Sequence, residues 1–189
     1  MNITRFKQII DFQEPLLCIL GDVFKTPVDH IAFAVNYPNS AGEYNNSDTG
    51  FAADVCKRYW PELKKIEFKK GEIRSHRFMG KTYHAMAVHT NESYGWQDSP
   101  HLIELCLNKL PVSSEEVIAV ILIGGGVSGN KWKASVNNIV GMSKSYKTIV
   151  LYIKEIEYYK IILDTGLAYA TIPLNFLPKT KKYRAIEAT

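Results

Sequence analysis

Short apolar runs recur along the chain and are separated by residues that favour turns. Apolar runs of this kind, bounded by Gly, Pro, Asn or Asp, predict buried strands. They occupy residues 16–20, 30–35, 66–68, 73–78, 82–88, 117–123 and 148–153. A polar stretch at residues 37–49 follows the second run and predicts a long loop.

Other stretches repeat apolar residues every three or four positions, which is typical of helices that pack on one face. From Gly50 the predicted face holds Ala52, Val55, Cys56, Tyr59 and Leu63. A second helix is predicted from Ser99-Pro100 to Pro111, and a third begins near Lys131. Because strands alternate with helices, we expect an α/β fold, a three-layer α/β/α sandwich with a mixed central sheet.

The alternation of strands and helices is complete by residue 153. We therefore predict one domain over residues 1–153 and a C-terminal extension over residues 154–189, which packs on the domain or trails from it. The extension ends in a basic segment, residues 179–184, which is typical of a solvated chain end.

The composition is that of an ordinary globular protein. Of the 189 residues, 46% are hydrophobic and 22% are charged, and the net charge is +4. No apolar run approaches the roughly 18 residues of a spanning helix, and the first residues lack the pattern of a signal peptide. We expect a cytoplasmic monomer without a membrane partner, and the mild charge does not demand a nucleic-acid partner.

The cysteines and histidines do not form the spacing of a metal site. Cys18, Cys56 and Cys106 are far apart in apolar surroundings, which predicts reduced core thiols. His84 and His89 are five residues apart on one predicted strand and so point to opposite faces. We predict no metal and no cofactor.

The run from Gly124 to Asn130 is the most distinctive stretch of the sequence. It follows an apolar strand, holds four glycines within six residues and precedes the helix that begins near Lys131. Bare backbone N–H groups and a helix N-terminus in this arrangement bind anions such as phosphate. The glycines also match G-x-G-x-x-G, although the acidic residue of a dinucleotide site, here Glu155, comes later than that pattern requires.

Several separated stretches carry motifs in an order that is found in one protein family. Gly21-Asp22-Val23 resembles the G-D-[IV] end of a strand, and residues 28–36 resemble V-D-A-I-V-N-A-A-N. Residues 49–52 are similar to a G-[VI]-A helix start, and residues 123–129 are similar to I-S-T-G-[VI]-[FY]-G. Over residues 16–153 the sequence thereby resembles the macrodomain family, which binds ADP-ribose and in many members hydrolyses ADP-ribosyl linkages.

The resemblance implies a cleft for ADP-ribose between two walls. Asp22 would accept a hydrogen bond from the adenine amino group, the backbone of Val23 would lie beside the ring, and Asn36 would face the distal ribose. Loops at Gly50 and at the glycine run would cradle the phosphates. The implied ligand-binding residues are Asp22, Val23, Asn36, Gly50, Phe51, Gly124, Gly125, Gly126, Val127, Ser128, Gly129 and Asn130.

Candidates for catalysis are fewer. Asn36 is a candidate to orient water, Asp48 in the long loop is a candidate base, and His89 is a candidate acid or base. Phe33 replaces an asparagine of the family motif, and Ser128 replaces an aromatic or acidic residue. The glycine run is similar to the corresponding loop in one branch of the family. That branch includes terminal ADP-ribose-protein glycohydrolase and ADP-ribose-phosphate phosphatase.

Three classes of function stay open at this point. The first is a hydrolase that binds ADP-ribose or an ADP-ribosyl group and removes it from a protein, a nucleic acid or a phosphate. The second is a non-catalytic module that binds ADP-ribose or another NAD metabolite. A dinucleotide-dependent oxidoreductase is a more remote alternative. The expected partner is ADP-ribose or an ADP-ribosylated macromolecule, with nucleic acid only as a modified substrate.

Overall fold

A mixed β-sheet forms the centre of the protein in the computed structural model. The structure describes residues 16–20, 23–25, 28–42, 50–92, 95–98, 100–113, 116, 118–121, 123, 149–153 and 170–171. The strands within these ranges are β1 Leu16–Leu20, β2 His30–Asn36, β3 Ile73–Phe78, β4 Lys81–Glu92, β5 Gly95–Asp98, β6 Ile118–Ile121, β7 Ile149–Ile153 and β8 Ala170–Thr171. Their order in the sheet is β3-β4-β2-β6-β7-β1-β8, and β5 pairs with β4.

Parallel pairing dominates the sheet, and antiparallel pairing is confined to one side of it. β2 pairs in parallel with β4 and β6, and β7 pairs in parallel with β6 and β1. β3 and β5 both run antiparallel to β4. The predicted α/β class with a mixed sheet is therefore confirmed.

The helices that the structure describes are shorter than the helices that the sequence predicts. α1 spans Gly50–Arg58 and α2 spans Pro100–Asn108. The pattern from Gly50 predicted a helix that reached Leu63, but Leu63 lies in a separate 3-10 turn, Pro61–Lys65. Proline has no N–H to donate and clashes with the preceding turn, so Pro61 ends the α-helix and opens the next turn.

The prediction of strands was wrong at one place and missed a strand at another. Residues 66–68 form no strand, although Phe68 is buried. β5 was not predicted, because its sequence Gly-Trp-Gln-Asp has no apolar alternation. The predicted helix near Lys131 lies outside the described residues. In the predicted extension, residues 170–171 form β8 beside β1, and the domain division itself stays a prediction.

A two-residue turn joins β3 to β4. Phe78 pairs with Lys81, and the intervening Met79 and Gly80 have φ angles of 47° and 80°. Two consecutive residues with positive φ are the signature of a type I′ hairpin, whose twist matches that of the strands. The turn fixes the register of β3 against β4.

The core lies against the central strands β2, β4 and β6. Most of their side chains are buried on both faces, which explains why apolar residues follow one another in these strands without alternating with polar ones. Cys56 and Cys106 are buried free thiols, as predicted. The thiol of Cys106 donates to the Gly71 carbonyl at 3.5 Å, and burial raises the pKa of Cys106 to about 11. Within the described residues, no helix is long and apolar enough to cross a membrane.

Candidate functional site

The carboxyl ends of the parallel strands meet at one edge of the sheet. β2 ends there at Asn36, and a 3-10 turn, Val23–Lys25, follows the end of β1. Val23 is buried, as is Ile123, two residues beyond β6. Ligands of α/β proteins bind outside this edge, so these residues occupy the place where a site is expected.

Asn36 and His89 lie on neighbouring strands at this edge. They are paired across β2 and β4, after a register shift between Val35 and Asn36. The Tyr37 backbone N–H donates to the His89 carbonyl at 2.9 Å, which anchors the chain where it leaves β2. His89 is buried and Asn36 is half-buried. The structure thus brings together two of the three candidate catalytic residues.

The start of α1 forms a second part of the edge. Gly50 has a φ of +72°, and no heavy atom lies within 4 Å of the position that a Cβ would occupy. The left-handed backbone therefore favours glycine here, while the space before it is open. Phe51 follows and is half-buried.

An aromatic cluster holds the start of α1 against the turn that follows β1. The rings of Phe24 and Phe51 are stacked, with centroids 5.0 Å apart and planes 7° apart. Phe33 from β2 lies 5.4 Å from Phe51, and Tyr59 lies 4.9 Å from Phe24. Sequence reasoning missed Phe24, although its position directly after Gly21-Asp22-Val23 was a signal. The cluster fixes the distance between Val23 and Gly50.

A cavity of about 660 Å³ lies at the loop that follows β2. It is lined by Tyr37, Pro38, Asn39, Ser40, Glu67, Phe68, Lys69 and Lys70. The Lys70 ammonium lies 6.0 Å from the centre of the Tyr37 ring, which is the range of a cation–π contact. The sequence analysis did not single out this cavity, because its two sides come from separate loops.

The remaining candidates cannot be placed by this structure. Asp22, Asp48 and the whole run from Gly124 to Asn130 lie outside the described residues. Their roles in ligand binding and catalysis stay predictions. Among the residues that the structure does describe, no group of three or more His, Cys, Asp or Glu side chains is arranged to hold a metal ion.

Comparison with known proteins identifies the fold. No protein-family model matches the sequence, and no curated protein matches it. The structure is similar to the macrodomain of Thermus aquaticus DarG, with a TM-score of 0.53, 15% identity, and coverage of 74% of this chain and 97% of that one. For the Trypanosoma brucei macrodomain in complex with ADP-ribose, the TM-score is 0.59, the identity is 13%, and the coverage is 80% and 68%. The chain has a macrodomain fold.

The difference from the family motif at Phe33 has a structural explanation. Phe33 is 1% exposed and contacts Phe51 inside the aromatic cluster. The side chain that replaces the family asparagine therefore packs in the core. Asn36 is then the residue of the β2 motif that remains at the edge.

A chain of four polar side chains lies at the opposite end of the sheet. His84 Nδ1 lies 2.7 Å from Ser75 Oγ, and His84 Nε2 lies 2.9 Å from His30 Nδ1. His30 Nε2 lies 3.1 Å from Glu116 Oε1, and the two atoms are not aligned as a hydrogen bond. We call these four residues the Ser75 relay. The sequence analysis did not predict it.

Two members of the relay, His84 and Glu116, have lowered pKa values. Burial, reinforced by the neighbouring His30, lowers the pKa of His84 to about 4. The Ser113 backbone N–H, which donates to Glu116 Oε2 at 3.0 Å, and the His30 side chain lower the pKa of Glu116 to about 2. At neutral pH the relay therefore consists of neutral His84 and an ionised carboxylate.

The depressed pKa of His84 predicts an acid-sensitive fold. The unfolded chain takes up a proton near pH 6.5, whereas folded His84 resists protonation until about pH 4. The free energy of unfolding should therefore fall by on the order of 3 kcal/mol as the pH drops through that window. Urea unfolding from pH 8 to pH 4 measures this loss.

A pair of variants separates His84 from other sources of acid sensitivity. His84→Gln should flatten the pH dependence between pH 6.5 and pH 4. His101→Gln, at an exposed position of α2, should retain it. Equal pH dependence in the two variants would contradict the assignment to His84.

Proposed function

We propose that this macrodomain binds ADP-ribose or an ADP-ribosyl group. The observation that carries the proposal is the macrodomain fold with Asn36 at the carboxyl edge of its sheet. A structural neighbour, the Trypanosoma brucei macrodomain, was solved in complex with ADP-ribose. The proposal for this chain combines that similarity with the motifs that resemble the family.

The described residues support one wall of the proposed cleft. In the proposed cleft Val23, in the turn after β1, would flank the adenine ring, and Gly50, whose backbone has open space before it, would approach a phosphate. Phe51 and Phe24 hold these two points together through their stacked rings. The proposed second wall is the run from Gly124 to Asn130, whose glycines favour contact between phosphate and backbone N–H groups.

We further propose that the protein hydrolyses an ADP-ribosyl linkage. The specific observation in favour is the pairing of Asn36 with His89 on adjacent strands. In the proposed reaction the Asn36 amide orients a water molecule and His89 accepts or donates a proton. Asp48 is the alternative base. The competing function is a binding module, which needs the same cleft and no proton transfer.

Titration calorimetry with ADP-ribose and with NAD tests the binding proposal. We expect ADP-ribose to bind and NAD to bind more weakly or not at all. Tight binding of NAD without binding of ADP-ribose would overturn the proposal and favour a dinucleotide-dependent oxidoreductase.

A panel of modified substrates tests hydrolysis. The protein is incubated with mono-ADP-ribosylated glutamate peptides, serine peptides and DNA, and with ADP-ribose 1″-phosphate, and released ADP-ribose is measured. We expect Asn36→Ala to lower turnover of the accepted substrate by about 100-fold or more, because it removes the group that positions water. Asn108→Ala, an exposed position at the end of α2, is the control.

The panel also decides between hydrolase and binding module. Binding without turnover of any member of the panel would leave the module as the function. Equal turnover in Asn36→Ala and in the wild-type protein would remove Asn36 from the catalytic role.

A further inference from the structure

The Ser75 relay lies apart from the proposed ADP-ribose cleft. His30 is the first residue of β2 and Asn36 is the last. Seven residues of extended strand separate their Cα atoms by about 20 Å. The relay therefore belongs to the amino end of the parallel strands, and its chemistry is not explained by binding at the other end.

The protons of the relay can be assigned from the carboxylate at one end. Ionised Glu116 can only accept, so we assign a proton to the His30 nitrogen that lies 3.1 Å from it, although the two groups are not aligned as a hydrogen bond. The other nitrogen of His30 then accepts from His84 Nε2–H. This leaves the lone pair of His84 Nδ1 directed at the Ser75 hydroxyl, 2.7 Å away. The tautomers follow from this network of contacts.

The arrangement is that of an activated hydroxyl. In a serine–histidine–carboxylate triad, the imidazole takes the hydroxyl proton and the carboxylate stabilises the resulting imidazolium. Here a second imidazole, His30, stands between the base and the carboxylate. The two rings are nearly parallel, with centroids 5.1 Å apart. The relay therefore has the serine, histidine and carboxylate of a triad in the same order, with one additional imidazole, that of His30, before the carboxylate.

The two ends of the relay are accessible to solvent and its middle is buried. The carboxylate end is open, because 43% of the Glu116 side chain is exposed. Ser75 is exposed on β3, which lies at an end of the described sheet. His84 is 1% exposed and His30 is 7% exposed. An exposed serine can satisfy its hydroxyl with water, so its bond to a buried imidazole is not needed for solvation. Ser75 is therefore an exposed residue whose hydrogen-bond partner, the base His84, is buried.

We propose that Ser75 is a nucleophile for acyl transfer from small activated carboxylic esters. Ser75 Oγ bonds to the carbonyl carbon while its proton passes to His84 Nδ1. The ester bond breaks, and the alcohol or phenol leaves with the proton from His84. Water then hydrolyses the acyl-serine and releases the carboxylic acid. His84 is the general base, and His30 and Glu116 are positioning residues.

Acetylation by p-nitrophenyl acetate tests the proposal on the full chain. Intact mass and peptide mapping measure acetyl on each residue, and p-nitrophenol release gives the rate. We expect acetyl on Ser75 and its loss in Ser75→Ala. Ser40→Ala, at an exposed serine beyond the other end of β2, should keep the wild-type labelling of Ser75. The absence of acetyl on Ser75 would overturn the proposal.

The pH profile separates an activated serine from a merely accessible one. Labelling of Ser75 should be nearly constant from pH 8 to pH 5.5 and fall as His84 becomes protonated, near pH 4. An unassisted hydroxyl would instead react about tenfold faster with each unit of rising pH, because its alkoxide is the reactive form. That steep profile would overturn the role of His84.

Variants of the partners test the relay as a unit. His84→Gln should lower the acetylation rate of Ser75 by about 100-fold or more, and Glu116→Gln by about tenfold. Far-UV circular dichroism and thermal unfolding confirm that each variant is folded. A wild-type rate in folded Glu116→Gln would overturn the positioning role of the carboxylate. Added ADP-ribose should leave the rate unchanged, which keeps this test independent of the proposed function.

Discussion

The Gly126→Glu variant should lose ADP-ribose binding while the domain stays folded. Gly126 lies in the middle of the glycine run that the resemblance assigns to the phosphates. A carboxylate there would meet the negative diphosphate, and like charges placed together cost several kcal/mol. We therefore expect affinity to fall by at least about 100-fold, as measured by calorimetry.

The matched control places the same charge elsewhere. Asn108→Glu adds one negative charge at an exposed position of α2 and should leave the affinity for ADP-ribose within about twofold of wild type. If Gly126→Glu binds ADP-ribose as tightly as this control, the glycine run is not part of the site. A thermal unfolding midpoint close to wild type is required of both variants.

The Phe33→Asn variant should be strongly destabilised, although it restores the asparagine of the family motif. Phe33 is 1% exposed, and its ring packs 5.4 Å from that of Phe51. The substitution removes a buried aromatic ring and places an amide in an apolar site. We expect the free energy of unfolding to fall by about 4 kcal/mol, as measured by urea unfolding.

The comparison variant at this position keeps the apolar character. Phe33→Leu should cost about 1 kcal/mol, because most of the buried volume is retained. Similar unfolding midpoints for Phe33→Asn and wild type would show that Phe33 is not a core residue. The expected result would instead show that the core of this protein is packed around an aromatic residue at this position.

The strands that the sequence predicted well are those with a continuous apolar run. Leu16–Leu20 is such a run, residues 31–35 of His30–Asn36 form another, and both strands are present. The prediction of a strand at residues 66–68 was wrong, because a short apolar run also occurs where a loop packs Phe68 into the core. β5 was missed because pairing with β4, and not its own composition, makes it a strand.

In the candidate site, too, the sequence predicted what a local pattern specifies and missed what depends on strand order. Asn36 was predicted because a motif places it directly after an apolar strand, and the structure confirms that it ends β2. The pairing of Asn36 with His89 depends on strand order, which the sequence does not state. The Ser75 relay was missed for the same reason. His30 and His84 are 54 residues apart, and no local sequence pattern predicts their contact.

Strand order has a consequence for how the protein folds. Leu16 pairs with Ile149 and Leu17 with Ala170, whereas β3 and β4 are joined by a two-residue turn. Closing a long loop costs more chain entropy than closing a hairpin, so the β3–β4 hairpin should form early and β1 should join late. Pulse-labelling hydrogen exchange should protect β4 before β1. Val23 follows β1, so the proposed nucleotide cleft would be among the last parts of the molecule to be assembled.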